Sequence, residues 1–360
     1  MKVVFLSYAR VMNQSDPKTW LQKIIFYTGI AEAMARKVKV ESVHCIDYEG
    51  TLEQHDVTYH FLRLLKLGIV FPLRLHKYVS KLDADVVIVH GLIFPWQLIQ
   101  LQNTLRKSSR IFVQHHAEKP LRFHKAFFQR YADQRIEGYF FTEAGLARPW
   151  IDAQQIKRNE KVHEVMEVSS SFQCTNVDRD KKRYLWVGRL DHNKDPLTLL
   201  NGFSIFLKKN PHCVLTIIFR GGTLRSEVEA IIKEERLSGS VILIEDVPHI
   251  ELEHHYNQSS FVIATSHYEG SGTAVCEAMS CGCIPVLSEI PSFIFMTGRG
   301  KVGFLFERGN AQALANALEK SSFIDVEKYR EQVLQQFSKH LSHDAIANKM
   351  LSVINDGADG

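Results

Sequence analysis

A chain of 360 residues is longer than one ordinary hydrophobic core organises, so two domains are expected. Its 45% hydrophobic and 23% charged residues are an ordinary globular composition, and a net charge of +4 makes no case for nucleic acid. No apolar run approaches the ~20 residues that cross a bilayer, and the apolar start is too short for a signal-peptide core, so a cytoplasmic protein is expected.

The first half alternates two patterns. Short β-branched runs at 3–7, 40–46, 86–90, 111–115, 138–142 and 162–168 read as strands. Segments 20–36, 59–82, 96–105, 123–135 and 149–156 carry apolar residues at helical spacing, with Pro72 breaking or kinking the second. The pattern fades between Ser169 and Lys182, where an interdomain linker is placed at 171–182. It then restarts, with strands at 184–187, 214–219, 241–244, 261–266 and 284–287. Helices are expected at 196–208, 224–236, 250–257 and just after Gly272, and closing helices at 311–319, 326–337 and 344–354. Such alternation predicts an α/β protein with parallel, doubly wound sheets. The expected domains are 1–170 and 183–337, with a C-terminal helix in 338–360.

One stretch carries most of the chemistry. Residues 269–282 read Glu-Gly-Ser-Gly-Thr-Ala-Val-Cys-Glu-Ala-Met-Ser-Cys-Gly and follow a strand. The loop therefore lies outside the carboxyl end of a parallel strand, where such sheets bind ligands. Gly270 and Gly272 let backbone approach a ligand closely, and the helix beginning near Gly272 offers unbonded N–H groups to an anion. Glu277, about a turn into that helix, leans back toward its start, and Glu269 stands at the mouth of the loop. Two carboxylates beside an anion-friendly helix end suit a ligand with both phosphate and hydroxyl groups. A second loop, Gly188-Arg189-Leu190-Asp191-His192-Asn193-Lys194-Asp195-Pro196, also follows a strand. Asp195 and Pro196 start a helix there, leaving Arg189 and Lys194 on one loop, where their charges can converge on a diphosphate.

The stretch 269–286, with both glutamates and the tail Ala-Met-Ser-Cys-Gly-Cys-Ile-Pro-Val, resembles the donor motif of glycosyltransferase family 4, the retaining group 1 enzymes of GT-B fold. The resemblance implies two Rossmann-like domains facing a central cleft, with the last helix packed back on the first domain. It implies a nucleotide-diphosphate sugar as co-substrate. Arg189 and Lys194 would offset charge on the leaving diphosphate. Glu277 would take the ribose hydroxyls and Glu269 those of the donor sugar. Gly270 and the N–H groups near Ser271, Gly272 and Thr273 would contact sugar or phosphate. Gly222, in Arg220-Gly221-Gly222-Thr223, corresponds to a turn beside the nucleotide, although a plain strand-to-helix turn reads the same. A histidine after the strand at 111–115 would meet the donor sugar; His116 is preferred over His115 because it lies further past the strand.

The family relies on no protein nucleophile, the leaving phosphate helping to deprotonate the acceptor. No cofactor and no metal is expected. Asp83-Ala84-Asp85 precedes its strand, and Cys276, Cys281 and Cys283 match no usual zinc spacing. The chain departs from the family twice: Asp195 stands where glycine is frequent, and the loop 9–19 lacks the expected glycine pair. The expected activity is transfer to a glycan, lipid-linked saccharide or small molecule, in cell-surface polysaccharide or glycoconjugate synthesis. A GT-B phosphorylase, a sugar-nucleotide epimerase or a non-catalytic nucleotide-sugar-binding scaffold are the alternatives. A Rossmann dehydrogenase is not, because no G-x-G-x-x-G follows a first strand. Segment 61–81 is rich in Lys and Arg among apolar residues. Docking on an anionic membrane and packing on its own sheet both remain open for it.

Overall fold

The computed structural model describes residues 1–64, 68, 70–175 and 179–356. Contacts divide the chain into two units, one of Met1–Ser169 joined by the chain from His343 onward, the other of Ser170–Ser342. Strand β9 begins at Asp180, so the end of the expected linker is already sheet.

Unit 1 holds β1 (Lys2–Arg10), β2 (Lys39–Cys45), β3 (Gly50–Gln54), β4 (Val57–Leu62), β5 (Val86–His90), β6 (Arg110–Gln114), β7 (Gly138–Phe141) and β8 (Val162–Glu164). Their order is β3-β4-β2-β1-β5-β6-β7-β8, parallel except for the β3–β4 hairpin. Val86 to Val89 are wholly buried, as a parallel strand covered on both faces requires.

The expected helical segment 59–82, broken at Pro72, fails at its start and holds after the break. Residues 57–62 are strand β4, and the helix Leu73–Lys81 begins only after Pro72; positions 65–67 and 69 lie outside the described residues. The hairpin turns through His55 and Asp56, both at positive φ (49° and 63°), a hand that matches the twist of paired strands. Segment 20–36 is also two helices, Pro17–Lys23 and Ile25–Ala35, because Ile24 leaves helical geometry at φ −114°, ψ 19°. The helix His343–Asp356 packs on Ile25–Ala35, where Gly29 makes room: a Cβ there would come within 2.5 Å of the His343 ring. Asp85 sits at the amino end of β5, accepting from the Lys2 N–H at 2.7 Å and pairing with Arg106.

Unit 2 holds β9 (Asp180–Leu190), β10 (Val214–Gly222), β11 (Val241–Glu245), β12 (Ser259–Ala264), β13 (Ile284–Ser288) and β14 (Phe304–Phe306), in the order β11-β10-β9-β12-β13-β14. Every recorded pairing is parallel. The chain runs outward in one direction from β9 to β11 and returns to the other side of β9 at β12. The carboxyl ends of β9 and β12 therefore flank the point where the strand order reverses. The short helix Pro291–Met296 and β14 were not expected, both being too brief to show a period.

Gly222 is required by close approach. At φ 126° a Cβ would lie 2.3 Å from the Leu190 carbonyl oxygen, whereas Gly221, at φ 60°, has nothing within 4 Å. Gly222→Ala is expected to lower stability by about 3 kcal/mol or more, and Gly221→Ala by about 1 kcal/mol. Urea unfolding of the two variants checks this order, and equal losses would contradict it.

Candidate donor site and histidine cluster

At the carboxyl end of β9 the chain folds back tightly. The Asp191 carboxylate accepts from the Lys194 N–H (2.9 Å) and pairs with Arg189 (3.1 Å). Asp195 takes the left-handed conformation, φ 49°, that a glycine would enter without strain. Its carboxylate accounts for the substitution: it caps the helix Pro196–Leu207 through Thr198 N (3.1 Å) and Thr198 Oγ1 (2.7 Å), and meets His267 Nε2 at 3.0 Å. The charge that departs from the family pattern is thus held by local partners.

The loop after β12 is stitched to this one. Thr265 Oγ1 donates to the Lys194 carbonyl (2.7 Å) and receives the Trp186 indole N–H (3.2 Å). The His267 N–H donates to the Asn193 carbonyl (2.8 Å), and Asn193 Nδ2 to the Tyr268 carbonyl (3.0 Å). Lys194 Nζ meets Glu269 Oε1 at 2.6 Å, with only 23% and 14% of the two side chains exposed. Arg189 differs, 68% exposed at the rim. The structure therefore brings Lys194 and Glu269 together where two strands end, with Arg189 on the rim of the same loop as Lys194.

The helix Thr273–Ser280 continues from that loop. Gly272, at φ 74°, starts it with the Phe293 ring where a Cβ would be, at 2.5 Å. Thr273 and Ala274 have no acceptor within their own helix, as first-turn N–H groups must. Gly270 and Ser271 are buried beside them. Glu277 is 5% exposed. His249 Nε2 meets its Oε1 at 2.7 Å, and the Tyr256 hydroxyl donates to its Oε2 at 3.1 Å. Each carboxylate oxygen keeps a lone pair for another donor. The Glu277 hydrogen bond holds the His249 pKa above the ordinary histidine value. His249 and Tyr256 escaped the sequence reading. Their signal was spacing alone: they stand two turns apart on one face of the helix His249–Gln258. Gly222 presses on Leu190, so its turn adjoins the Arg189 loop for a packing reason.

In unit 1 the two candidate histidines part company. His115 is 1% exposed, stacked on Phe141 at 4.5 Å and bonded through Nε2 to the Glu118 carbonyl (2.9 Å); a ligand contact would require it to leave that stack. His116 is half-buried. Its Nδ1 pairs with the buried Glu167, its Nε2 lies 2.9 Å from His90 Nδ1, and the two imidazoles stack. Burial alone would lower the His116 pKa, but the charge and hydrogen bond of Glu167 outweigh it and raise it. Burial and the His116 charge push His90 far down. With both ring nitrogens engaged, His116 meets another group only by releasing one. The Glu118 carboxylate ties the loops after β5 and β6 together, accepting from Leu92 N (3.0 Å) and His116 N (2.6 Å). His90, Glu118 and Glu167 carried no readable motif.

Cys276, Cys281 and Cys283 are buried, and burial pushes the Cys283 thiol up to about 12. Among the described residues no group of three or more His, Cys, Asp or Glu is arranged to hold a metal. None of the described helices is long and apolar enough to cross a membrane.

Residues 169–340 match the family model described as glycosyl transferases group 1. That region, just under half of the chain, is a group 1 glycosyltransferase domain. It is 28% identical over 292 residues to the GDP-mannose:cellobiosyl-diphosphopolyprenol alpha-mannosyltransferase of Xanthomonas oryzae pv. oryzae, covering 76% of this chain and 74% of that enzyme. Its fold is shared with a glycosyltransferase from Rickettsia africae (TM-score 0.72, 14% identity, 100% of this chain and 99% of the other). It is shared equally with the Anabaena protein HepE in complex with UDP (TM-score 0.72, 14% identity, 99% and 100%). This glycosyltransferase thus has the GT-B architecture, two Rossmann-like units.

The His249–Glu277 pair predicts a pH signature. A histidine whose folded pKa exceeds its unfolded value of about 6.5 stabilises fully below that value, and the contribution fades as pH rises through the folded pKa. The drop in thermal midpoint caused by His249→Ala should be larger at about pH 5.5 than at about pH 9. A drop that is constant, or larger at high pH, would contradict the pairing.

Proposed function

We propose that this glycosyltransferase moves a sugar with retention from a nucleoside-diphosphate sugar to a lipid-linked saccharide, in the assembly of a cell-surface polysaccharide. The observation that carries the reading is the Lys194–Glu269 ion pair between the loops that follow β9 and β12, with Arg189 on the rim of the first loop and the helix bearing Glu277 continuing from the second. As the sugar–phosphate bond breaks, negative charge grows on the diphosphate. Lys194 and Arg189 are placed to offset it, and fixed charge aimed at developing charge is the largest single source of rate enhancement. Glu269 would accept from hydroxyls of the sugar, exchanging part of its bond to Lys194 for them. Glu277, oriented by His249 and Tyr256, would accept from the ribose hydroxyls. The first-turn N–H groups of Thr273 and Ala274, with the backbone at Gly270, Ser271 and Gly272, suit phosphate or sugar oxygens. The leaving phosphate would take the acceptor proton as the new glycosidic bond forms on the same face, so no protein nucleophile is invoked. Lys194 and Arg189 would supply the positive charge that a metal ion supplies elsewhere. The Xanthomonas relative's polyprenyl-diphosphate acceptor supports the acceptor class. Its GDP-mannose and the UDP in the Anabaena complex make guanine and uracil the bases to try first.

The test is release of nucleoside diphosphate from UDP- and GDP-sugars with a polyprenyl-diphosphate saccharide as acceptor. Lys194→Ala should lower kcat by about a hundredfold or more. Glu277→Ala should act mainly on the donor KM, and a chelator should change neither. Turnover that survives Lys194→Ala, or that requires a divalent metal, would contradict the reading.

A further inference from the structure

Unit 1 carries an exposed aromatic face that the chemistry above does not use. On the helix Phe123–Ala132 the inward residues are Gln129 and Ala132, while Phe123 (89% exposed), Phe127 (66%) and Tyr131 (50%) form an outward stripe at four-residue spacing. The stripe continues onto neighbouring segments. The Phe127 ring lies 5.9 Å from Phe128, Phe128 5.0 Å from Trp96, and Trp96 6.3 Å from the exposed Phe71. Ile93 and Leu73 are exposed as well. Trp96, Phe128, Ile93 and Lys125 line a largely apolar pocket of about 490 Å³. Isolated exposed apolar residues are ordinary, but a contiguous aromatic face marks a docking surface.

The helix that carries the stripe is itself basic. Residues 119–132 contain Lys119, Arg122, Lys125 and Arg130 and no acid. Arg74 is neutralised by Glu49, but Arg122 and Lys125, both exposed, have no carboxylate partner among the described residues. A surface helix with an aromatic stripe and basic flanks has the build of one that lies in the plane of a bilayer, rings among the acyl chains and cations at anionic headgroups.

We propose that this face, centred on Phe123 and Phe127, docks the enzyme on an anionic membrane surface. The site is not the basic segment 61–81 as a whole. Part of that segment is the buried strand β4, and the helix Leu73–Lys81 turns Leu75, His76 and Val79 inward. The inference stands apart from the donor site and holds whatever sugar is transferred.

The full chain is sedimented with vesicles of phosphatidylcholine plus phosphatidylglycerol and with vesicles of phosphatidylcholine alone. Binding should be at least about tenfold stronger to the anionic vesicles and should weaken with salt. Phe123→Ser with Phe127→Ser, and separately Arg122→Glu with Lys125→Glu, should each reduce it about tenfold or more, with unfolding midpoints near wild type because all four side chains are exposed. Absence of binding to anionic vesicles, or undiminished binding by both double variants, would overturn the proposal. So would a dimer in solution that the Phe123/Phe127 variant dissolves while vesicle binding stays absent, which would assign the face to self-association.

Discussion

The Lys194–Glu269 ion pair joins two loops that lie 75 residues apart in the chain. Each loop is placed by a parallel strand, and parallel strands of one sheet end at one edge. The polar groups at that edge must then satisfy one another or a ligand. Here the backbone of each loop bonds to the other, and the lysine and glutamate close the seam at 2.6 Å with little water access. A lysine held this way is pre-positioned, so little side-chain freedom remains to be lost when an anion arrives. The same pairing fixes the Glu269 carboxylate. Glu277 follows the same logic one helix further on, where His249 and Tyr256 fix its carboxylate while leaving acceptor capacity on each oxygen.

The candidate donor-side residues could be picked from the sequence because the pattern that suggests them is local. Strand, glycine-bearing loop and helix start occupy neighbouring positions, and strand polarity alone places them at the ligand edge. Asp195 shows the limit of motif comparison. The residue departs from the family, yet its left-handed backbone and its cap on Thr198 give it the conformation a glycine would have. The change is conservative in geometry, which residue identity does not disclose.

What stayed hidden depends on tertiary contact. His249 meets Glu277, and Glu167 meets His116, across distances in sequence that no period or spacing encodes. His116 was expected to meet the donor sugar; in the structure its Nε2 bonds to His90 and its Nδ1 to Glu167. The β3–β4 hairpin was lost to a different cause. Val57-Thr58-Tyr59-His60-Phe61-Leu62 runs straight into an apolar, basic stretch, and reading the two together produced one long helix. The turn at His55 and Asp56 was the missed punctuation, since neither residue is the glycine that most often marks such a turn.

A crystal structure of the protein with a bound nucleoside diphosphate tests the central claim most directly. The account predicts diphosphate oxygens within hydrogen-bond distance of Lys194 Nζ and the Arg189 guanidinium, ribose hydroxyls on the Glu277 carboxylate, and His249 still bonded behind it. A nucleotide bound elsewhere, or one whose diphosphate contacts neither cation, would contradict it.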